Sequence, residues 1–319
     1  MRDKYGRNIE YLRISLTDRC NLRCKYCMPE EGIHDKKSHN EIMTLEEIYE
    51  VVKISTELGV WKVRLTGGEP LTRLGVTGLI EKIAKLDKIK DVSMTTNAVL
   101  LKKYAKELKE AGLKRVNISL DTLKEEKYNE ITRLGSLRDV LEGLEEAKKV
   151  GLLPIKINTV LINGFNVDEI EEFVELTRNE KIEVRFIELM PIGQTADWAR
   201  EHFIPNTVVL EKIKELEPVE IWDKSSPARY YMLPGAKGKV GLINSISHQF
   251  CGNCNRLRLT ADGRIKPCLH SDEEINVLKT IREGGDVREV LINSILAKPM
   301  IHHLKEGQAI QRNMVRIGG

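Results

Sequence analysis

The chain has no G-x4-G-K-[ST] loop, no run of 18 apolar residues, no surplus of either charge, and no repeated or low-complexity tract. Each absence excludes something. Without the glycine-lysine loop, nucleotide phosphates cannot sit in the usual NTPase cradle, and side-chain cations would have to hold them instead. Without a long apolar run no membrane-spanning helix is expected. The opening Met1-Arg-Asp-Lys-Tyr-Gly6 has neither the apolar core of a signal peptide nor the composition of a transit peptide, so a cytoplasmic location is expected. The 51 Lys and Arg against 48 Asp and Glu leave a net charge of +3, too balanced for a general nucleic-acid or membrane binder. Aromatic residues make up only 5%, which leaves few rings to interleave with cations on a nucleic acid.

Cysteine is scarce as well, but its placement is ordered. The six cysteines form two triads, Cys20, Cys24 and Cys27 near one end and Cys251, Cys254 and Cys268 near the other, with none left over. A cytosolic compartment keeps thiols reduced, so metal binding or catalysis is expected of them rather than disulfides.

From residue 11 to about 192, short β-branched runs alternate with amphipathic helical stretches, the pattern of βα units around a parallel sheet. Six strands are predicted, Tyr11–Thr17, Trp61–Thr66, Asp91–Asn97, Arg115–Asp121, Pro154–Ile162 and Glu183–Pro191. Between the first two, Thr44 and Glu47 form a capping box, Leu45, Ile48, Val51 and Val52 share one helical face, and Gly59 gives a stop. Leu101, Tyr104, Ala105 and Leu108 repeat the helical spacing before Gly112. Six units fall short of the eight that close a barrel, so the expected fold is α/β: an incomplete (β/α)6 barrel, or an open doubly wound sheet. After about residue 217 the alternation stops, and Pro and Gly interrupt short stretches such as Tyr230–Leu233 and Arg256–Thr260. The expected organisation is a partial-barrel domain over residues 1–217 and a smaller α+β domain over 218–319.

The segment Cys20-Asn-Leu-Arg-Cys24-Lys-Tyr26-Cys27 directly follows the first strand. Three thiolates can hold three corners of a [4Fe–4S] cube and leave the fourth iron open. Zinc would ask for a fourth protein ligand, and His34 is the nearby candidate. With Tyr26 just before the last cysteine, the C-x3-C-x2-C spacing resembles the signature of the radical S-adenosylmethionine superfamily. That resemblance implies S-adenosylmethionine on the open iron and a glycine-rich segment after the second strand. Gly67-Gly68-Glu69-Pro70 lies there, with glycines that allow close backbone approach and a carboxylate for an ammonium group. Tyr26, Gly68, Glu69, Ser119 and Met190 match cosubstrate contacts of the superfamily.

Taken alone, the spacing of Cys251, Cys254 and Cys268 favours a structural zinc site closed by His248 or His270. Between the second and third of these cysteines stands Asn255-Arg256-Leu257-Arg258, and the combination resembles the molybdenum cofactor biosynthesis protein A family. The resemblance spans the chain, down to the terminal Gly318-Gly319 pair, whose family counterpart reaches toward the active site. It implies a second [4Fe–4S] cluster that anchors the purine of GTP. It also implies cyclisation to 3′,8-cyclo-7,8-dihydro-GTP through a 5′-deoxyadenosyl radical and a C3′ radical. A one-electron reductant and a downstream cyclic pyranopterin monophosphate synthase are the implied partners. Arg13, Lys62, Arg64, Thr95, Lys156, Arg256, Leu257 and Arg258 match the substrate contacts. Of these, Arg256 and Arg258 are expected to stabilise charge during catalysis, because fixed cations need no reorganisation as charge develops. The competing expectations are a radical enzyme acting on a peptide and a non-catalytic zinc protein. No feature of the sequence sets an oligomeric state, and a homodimer is compatible with all of them.

Overall fold

A computed structural model describes residues 1–33, 37–221, 223–302, 310 and 312–318, so the expectations for His34 and Gly319 lie outside the described residues. Six parallel strands follow one another across a single sheet: β1 (Tyr11–Ser15), β2 (Lys62–Thr66), β3 (Asp91–Thr96), β4 (Arg115–Ser119), β5 (Ile155–Leu161) and β6 (Ile182–Glu188). Each leads into helix. In the first connection, Thr44 Oγ1 accepts from Glu47 N (3.1 Å) while the Glu47 carboxylate accepts from Thr44 N (2.7 Å), so the capping box forms as the spacing predicts. Gly59 and Gly112 take the left-handed turns that return the chain to β2 and β4, with φ of +98° and +99°. Apart from β2, which ends at Thr66 as predicted, the predicted strands overrun the observed ones at their C-terminal ends. Thr17, Asn97, Asp121 and Met190 all lie past the last ladder residue, where the chain turns into the loops that carry the site.

The last third of the chain adds strands to both flanks of the same sheet. On one side come β7 (Glu217–Val219), β8 (Arg229–Met232) and β9 (Lys239–Ile243); β9 pairs parallel with β6, and β8 and β7 continue outward antiparallel. On the other, β10 (Arg256–Leu259) pairs parallel with β1, followed by antiparallel β11 (Arg264–Lys266) and β12 (Ile275–Asn276). The position between residues 217 and 218 falls inside β7. Helical periodicity could not announce β9 and β10, because no βα unit introduces them. The segment 244–255 joins β9 to β10 and so links the two flanks of the open barrel, carrying Cys251 and Cys254. Its start is held by Glu188 at the end of β6, a fully buried carboxylate that accepts from Ile246 N and Ser247 N, both at 2.8 Å.

The apolar core lies on the outer face of the sheet, where Leu12, Ile14, Val63, Leu65, Val116 and Ile118 pack under the helices. The alternate residues point inward and are polar or charged. A closed barrel fills this space with layers of branched aliphatic side chains; here it is a cavity. Among the described residues no helix is long and apolar enough to cross a membrane.

Gly238 tests the docking of β9, since a Cβ there would sit 2.1 Å from Ile182 O and 2.8 Å from Glu180 O. Backbone cannot yield as a flexible side chain does, so Gly238→Ala is expected to destabilise the chain by about 2–3 kcal/mol, read as a lowered urea midpoint at unchanged slope.

Candidate active site

The loop after β1 brings Cys20, Cys24 and Cys27 over the C-terminal ends of the strands. It is pinned from two sides. Arg23 N and Lys25 N donate to Thr132 O (2.9 Å) and Ile131 O (3.0 Å) at the end of the helix Glu125–Thr132, while Gly68 N and Glu69 N donate to Thr17 O (2.7 Å) and Arg19 O (2.8 Å). A Cβ on Gly68 would meet Arg19 O at 2.3 Å, so glycine is required by close approach of one backbone to another. Glu69 is buried and ties the ends of β2 and β3 together, accepting from Leu71 N (3.0 Å), Thr96 Oγ1 (2.8 Å) and Asn97 N (2.7 Å). Burial outweighs these donors and lifts its carboxyl to about 7. Tyr26 is fixed by its hydroxyl, which donates to Asp121 Oδ2 at 2.7 Å.

Burial raises the Cys20 thiol to about 11 and the Cys27 thiol to about 12, and it drives Cys24 well above the ordinary range with help from Cys27, Asp121 and Cys20. Buried sulfur donors surrounded by one another and by a carboxylate are held as thiols unless a bound group brings positive charge. An iron–sulfur cluster meets that condition, and three cysteines are its expected donor set when one iron is left open. Among the described residues, no three His, Cys, Asp or Glu side chains are placed to hold a single metal ion.

Below this loop the barrel encloses a cavity of about 520 Å³. Its wall follows the strand alternation: Tyr11 and Arg13 from β1, Lys62 and Arg64 from β2, Thr95 from β3, Arg115 and Ser119 from β4, Lys156 and Asn158 from β5, Glu183 and Arg185 from β6, and Arg256 and Arg258 from β10. Tyr11 reports the field inside. Burial pushes its phenol up, yet Arg64, Arg13, Arg256 and Lys62 together bring it down to about 8. Burial and neighbouring guanidinium groups push Arg13 well below its usual range, and Arg64 and Arg258 fall to about 10. Part of the charge is met internally, by Asp91 against Arg115 and by Glu183 against Lys156. Several buried polar atoms on this wall have no hydrogen-bond partner among the described residues, namely Tyr11 Oη, Thr95 Oγ1, Asn158 Oδ1, Arg185 Nε and Arg256 Nη2. Such atoms are costly unless a ligand completes them.

Cys251, Cys254 and Cys268 open onto the same cavity. They differ in charge from the first triad. Against the effect of burial, Arg256 and Lys298 bring the Cys254 thiol down to about 6, whereas burial raises Cys251. His248 is exposed and paired with Arg229, while His270 lines the cavity, its ring tilted by 58° against His302 (centroids 4.2 Å apart) and its Nε2 3.3 Å from Met190 Sδ. The C-terminal segment also reaches the site, since Gly318 O accepts from Arg13 (3.0 Å), Thr66 Oγ1 (3.0 Å) and Arg258 (3.4 Å).

Residues 14–177 match the model of the radical SAM superfamily, and residues 182–304 match that of molybdenum cofactor synthesis C. A GTP 3′,8-cyclase of Peptoclostridium acidaminophilum is 57% identical over 99% of this chain and 98% of its own. One from Alkaliphilus oremlandii is 54% identical over the full length of both. The chain belongs to the GTP 3′,8-cyclase family of the radical SAM superfamily. Its fold is similar to that of Streptococcus suis SuiB bound to S-adenosylmethionine, with a TM-score of 0.62 at 17% identity over 89% of this chain, which spans 65% of SuiB. The anSMEcpe structure with bound AdoMet gives a TM-score of 0.57 at 19% identity, covering 91% of this chain and 78% of that one.

Within this family member, Tyr26, Ser119 and Met190 line the cavity together with Arg13, Lys62, Arg64, Thr95, Lys156, Arg256, Arg258 and the second triad. Gly68 and Glu69 do not line it; they frame the cysteine loop above. Leu257 points to the opposite face of β10 and is buried in the aliphatic core. Sequence reasoning missed Arg115, Arg185, Asp91, Glu183 and Lys298. Alternation could have found the first two: Arg115 stands in register with Arg64 through Ser93, and Arg185 shares the inward face of β6. Nothing in the sequence around Lys298 points to the site.

Gly68→Ala is expected to displace the cysteine loop and abolish assembly at the first triad, read as iron and sulfide content after anaerobic reconstitution. In the metal-free chain, Cys254 is expected to react with iodoacetamide at pH 7 ahead of Cys24 and Cys27, with its rate falling as pH drops below about 6. Mass spectrometry of the labelled peptides checks the order.

Proposed function

We infer that this chain cyclises GTP to 3′,8-cyclo-7,8-dihydro-GTP, the first step of molybdenum cofactor biosynthesis. Beyond the family relationship, one observation carries the reading: three of the five residues matched to the cosubstrate, Tyr26, Ser119 and Met190, share one cavity with the cationic wall and its second cysteine triad. When bound, a reduced cluster at the first triad and S-adenosylmethionine supply the 5′-deoxyadenosyl radical that begins the reaction. Cys20, Cys24 and Cys27 hold that cluster in this reading, and Cys251, Cys254 and Cys268 hold a second.

The chain's own residues do the rest. Arg13, Lys62, Arg64 and Lys156 bind the triphosphate as cations on rigid strands, where side chains need little reordering. Thr95 offers an unmatched hydroxyl in the same wall. Tyr26, Ser119 and Met190 orient the cosubstrate, while Gly68 and Glu69 set the loop above it. Arg256 and Arg258, next to the second triad, stabilise charge that develops on the substrate, with Leu257 contributing backbone only. Residues 1–217 thus carry the radical-generating end and the cations for the triphosphate, while residues 218–319 add the second triad with Arg256 and Arg258. A one-electron reductant feeds the first end, and a cyclic pyranopterin monophosphate synthase consumes the product.

Anaerobic reconstitution followed by incubation with dithionite, S-adenosylmethionine and GTP tests this directly. Both 5′-deoxyadenosine and a GTP-derived product are expected, from protein holding about eight irons. 5′-Deoxyadenosine with GTP intact would remove the substrate assignment, and a colourless zinc protein would remove the chemistry. Arg256→Ala is expected to lower kcat by about 100-fold or more, and unaltered turnover would take that role from it.

A further inference from the structure

The first residues of the chain form a small hook beside the second cysteine triad. Asp3 Oδ1 accepts from Tyr5 N and Arg7 N, both at 2.9 Å, and Asp3 N closes the turn on Arg7 O at 3.0 Å. Asp3 and Arg7 are 7% and 8% exposed, so their ion pair (Nε to Oδ2, 2.6 Å) is shielded from water. The remaining donors of Arg7 leave the hook altogether. Nη1 donates to Cys251 O (2.8 Å) and Met300 O (3.2 Å), and Nη2 donates to Pro299 O (2.7 Å). The next residue back, Lys298, is buried and donates to Arg256 O (2.9 Å) and Pro267 O (2.8 Å). Pro267 adjoins Cys268, and Arg256 follows Cys254 by two residues. Both the Cys251 backbone and the segment that sets the other two cysteines therefore refer back to one guanidinium.

We propose that Arg7 is a positioning residue for the second cysteine triad, setting the spacing of its thiolates and thereby the placement of GTP; this rests on the reading that the triad holds a substrate-binding cluster. The planar fork suits the task, because it reaches a carboxylate and three carbonyls at once, whereas a lysine ammonium is a compact point charge. Removing it takes a charged donor from Cys251 O, which keeps the 3.1 Å bond from Cys254 N, and takes the counter-ion from buried Asp3, a cost that falls partly on the triad's own backbone.

The test compares Arg7→Gln and Arg7→Lys with the wild type after anaerobic reconstitution, reading iron content, the GTP-dependent change in the EPR spectrum of the reduced clusters, and kinetics. Arg7→Gln is expected to retain reductive cleavage of S-adenosylmethionine within about twofold while KM for GTP rises about tenfold or more and the GTP-dependent spectral change is lost, a size of effect consistent with about 1.4 kcal/mol per decade. Arg7→Lys is expected to fall between the two. Wild-type KM and spectrum in Arg7→Gln would overturn the proposal. So would equal loss of cosubstrate cleavage and GTP turnover in both variants, since Arg7 would then support the fold at large. Only about four irons, or no GTP-dependent spectral change, in the unsubstituted protein would instead overturn the cluster reading itself and the proposal with it; that outcome is seen without any substitution.

Discussion

Like charges facing one another in a confined space set the terms for the rest of this molecule. Seven strands, β1, β2, β4, β5, β6, β9 and β10, each contribute at least one cation to the lining of a cavity of about 520 Å³. In a low-dielectric interior such groups repel more strongly than on a surface. Burial first, with neighbouring guanidinium groups, lowers Arg13, Arg64 and Arg258, and the same cations draw Tyr11 toward ionisation. A polyanion relieves all of these at once. Asp91 and Glu183 temper the charge of Arg115 on β4 and Lys156 on β5, and Asp91 and Asp223 lie within 4.0 Å of Lys62 on β2.

Keeping such an interior open demands a rigid shell, and the sheet provides it by dividing its two faces. The outer face is aliphatic and packed under helices, so the strands are held from outside. The inner face is then free to carry charge. Loops at the strand ends are fixed through their backbone amides: Gly68 N and Glu69 N lock the first cysteine loop, and the Glu188 carboxylate accepts from Ile246 N and Ser247 N at the start of the segment that carries Cys251 and Cys254. Two buried charges of opposite sign, Glu188 and Arg7, thus grip that segment from its amides and its carbonyls.

The two triads differ in a way that matters chemically. The first is buried among thiols and Asp121, and its sulfurs are held protonated without a metal; the second stands beside Arg256 and Lys298, which favour thiolate at Cys254. Metal loading therefore meets a larger proton barrier at the first site than at Cys254, since ligands must be deprotonated to bind. The second triad lines the cavity with Tyr26, Ser119 and Met190, so residues matched to cosubstrate and to substrate share one space.

Much of this was legible before the structure. The six βα strands, the capping box at Thr44, the cysteine spacing and the Arg-Leu-Arg segment are local patterns, and local geometry follows from neighbours in the chain. Alternation on a strand even implies which cations share a face. What sequence alone did not reach were features made by residues far apart: β9 and β10 joining the flanks of the barrel, Glu69 spent on the ends of β2 and β3, Lys298 beside Cys254, and Arg7 bonded across 244 positions to Cys251. These depend on which strand edges meet and which carbonyls are left without donors on burial. Chemical identity was written in spacing; the placement of charge around it was decided only when the sheet curved and brought those edges together.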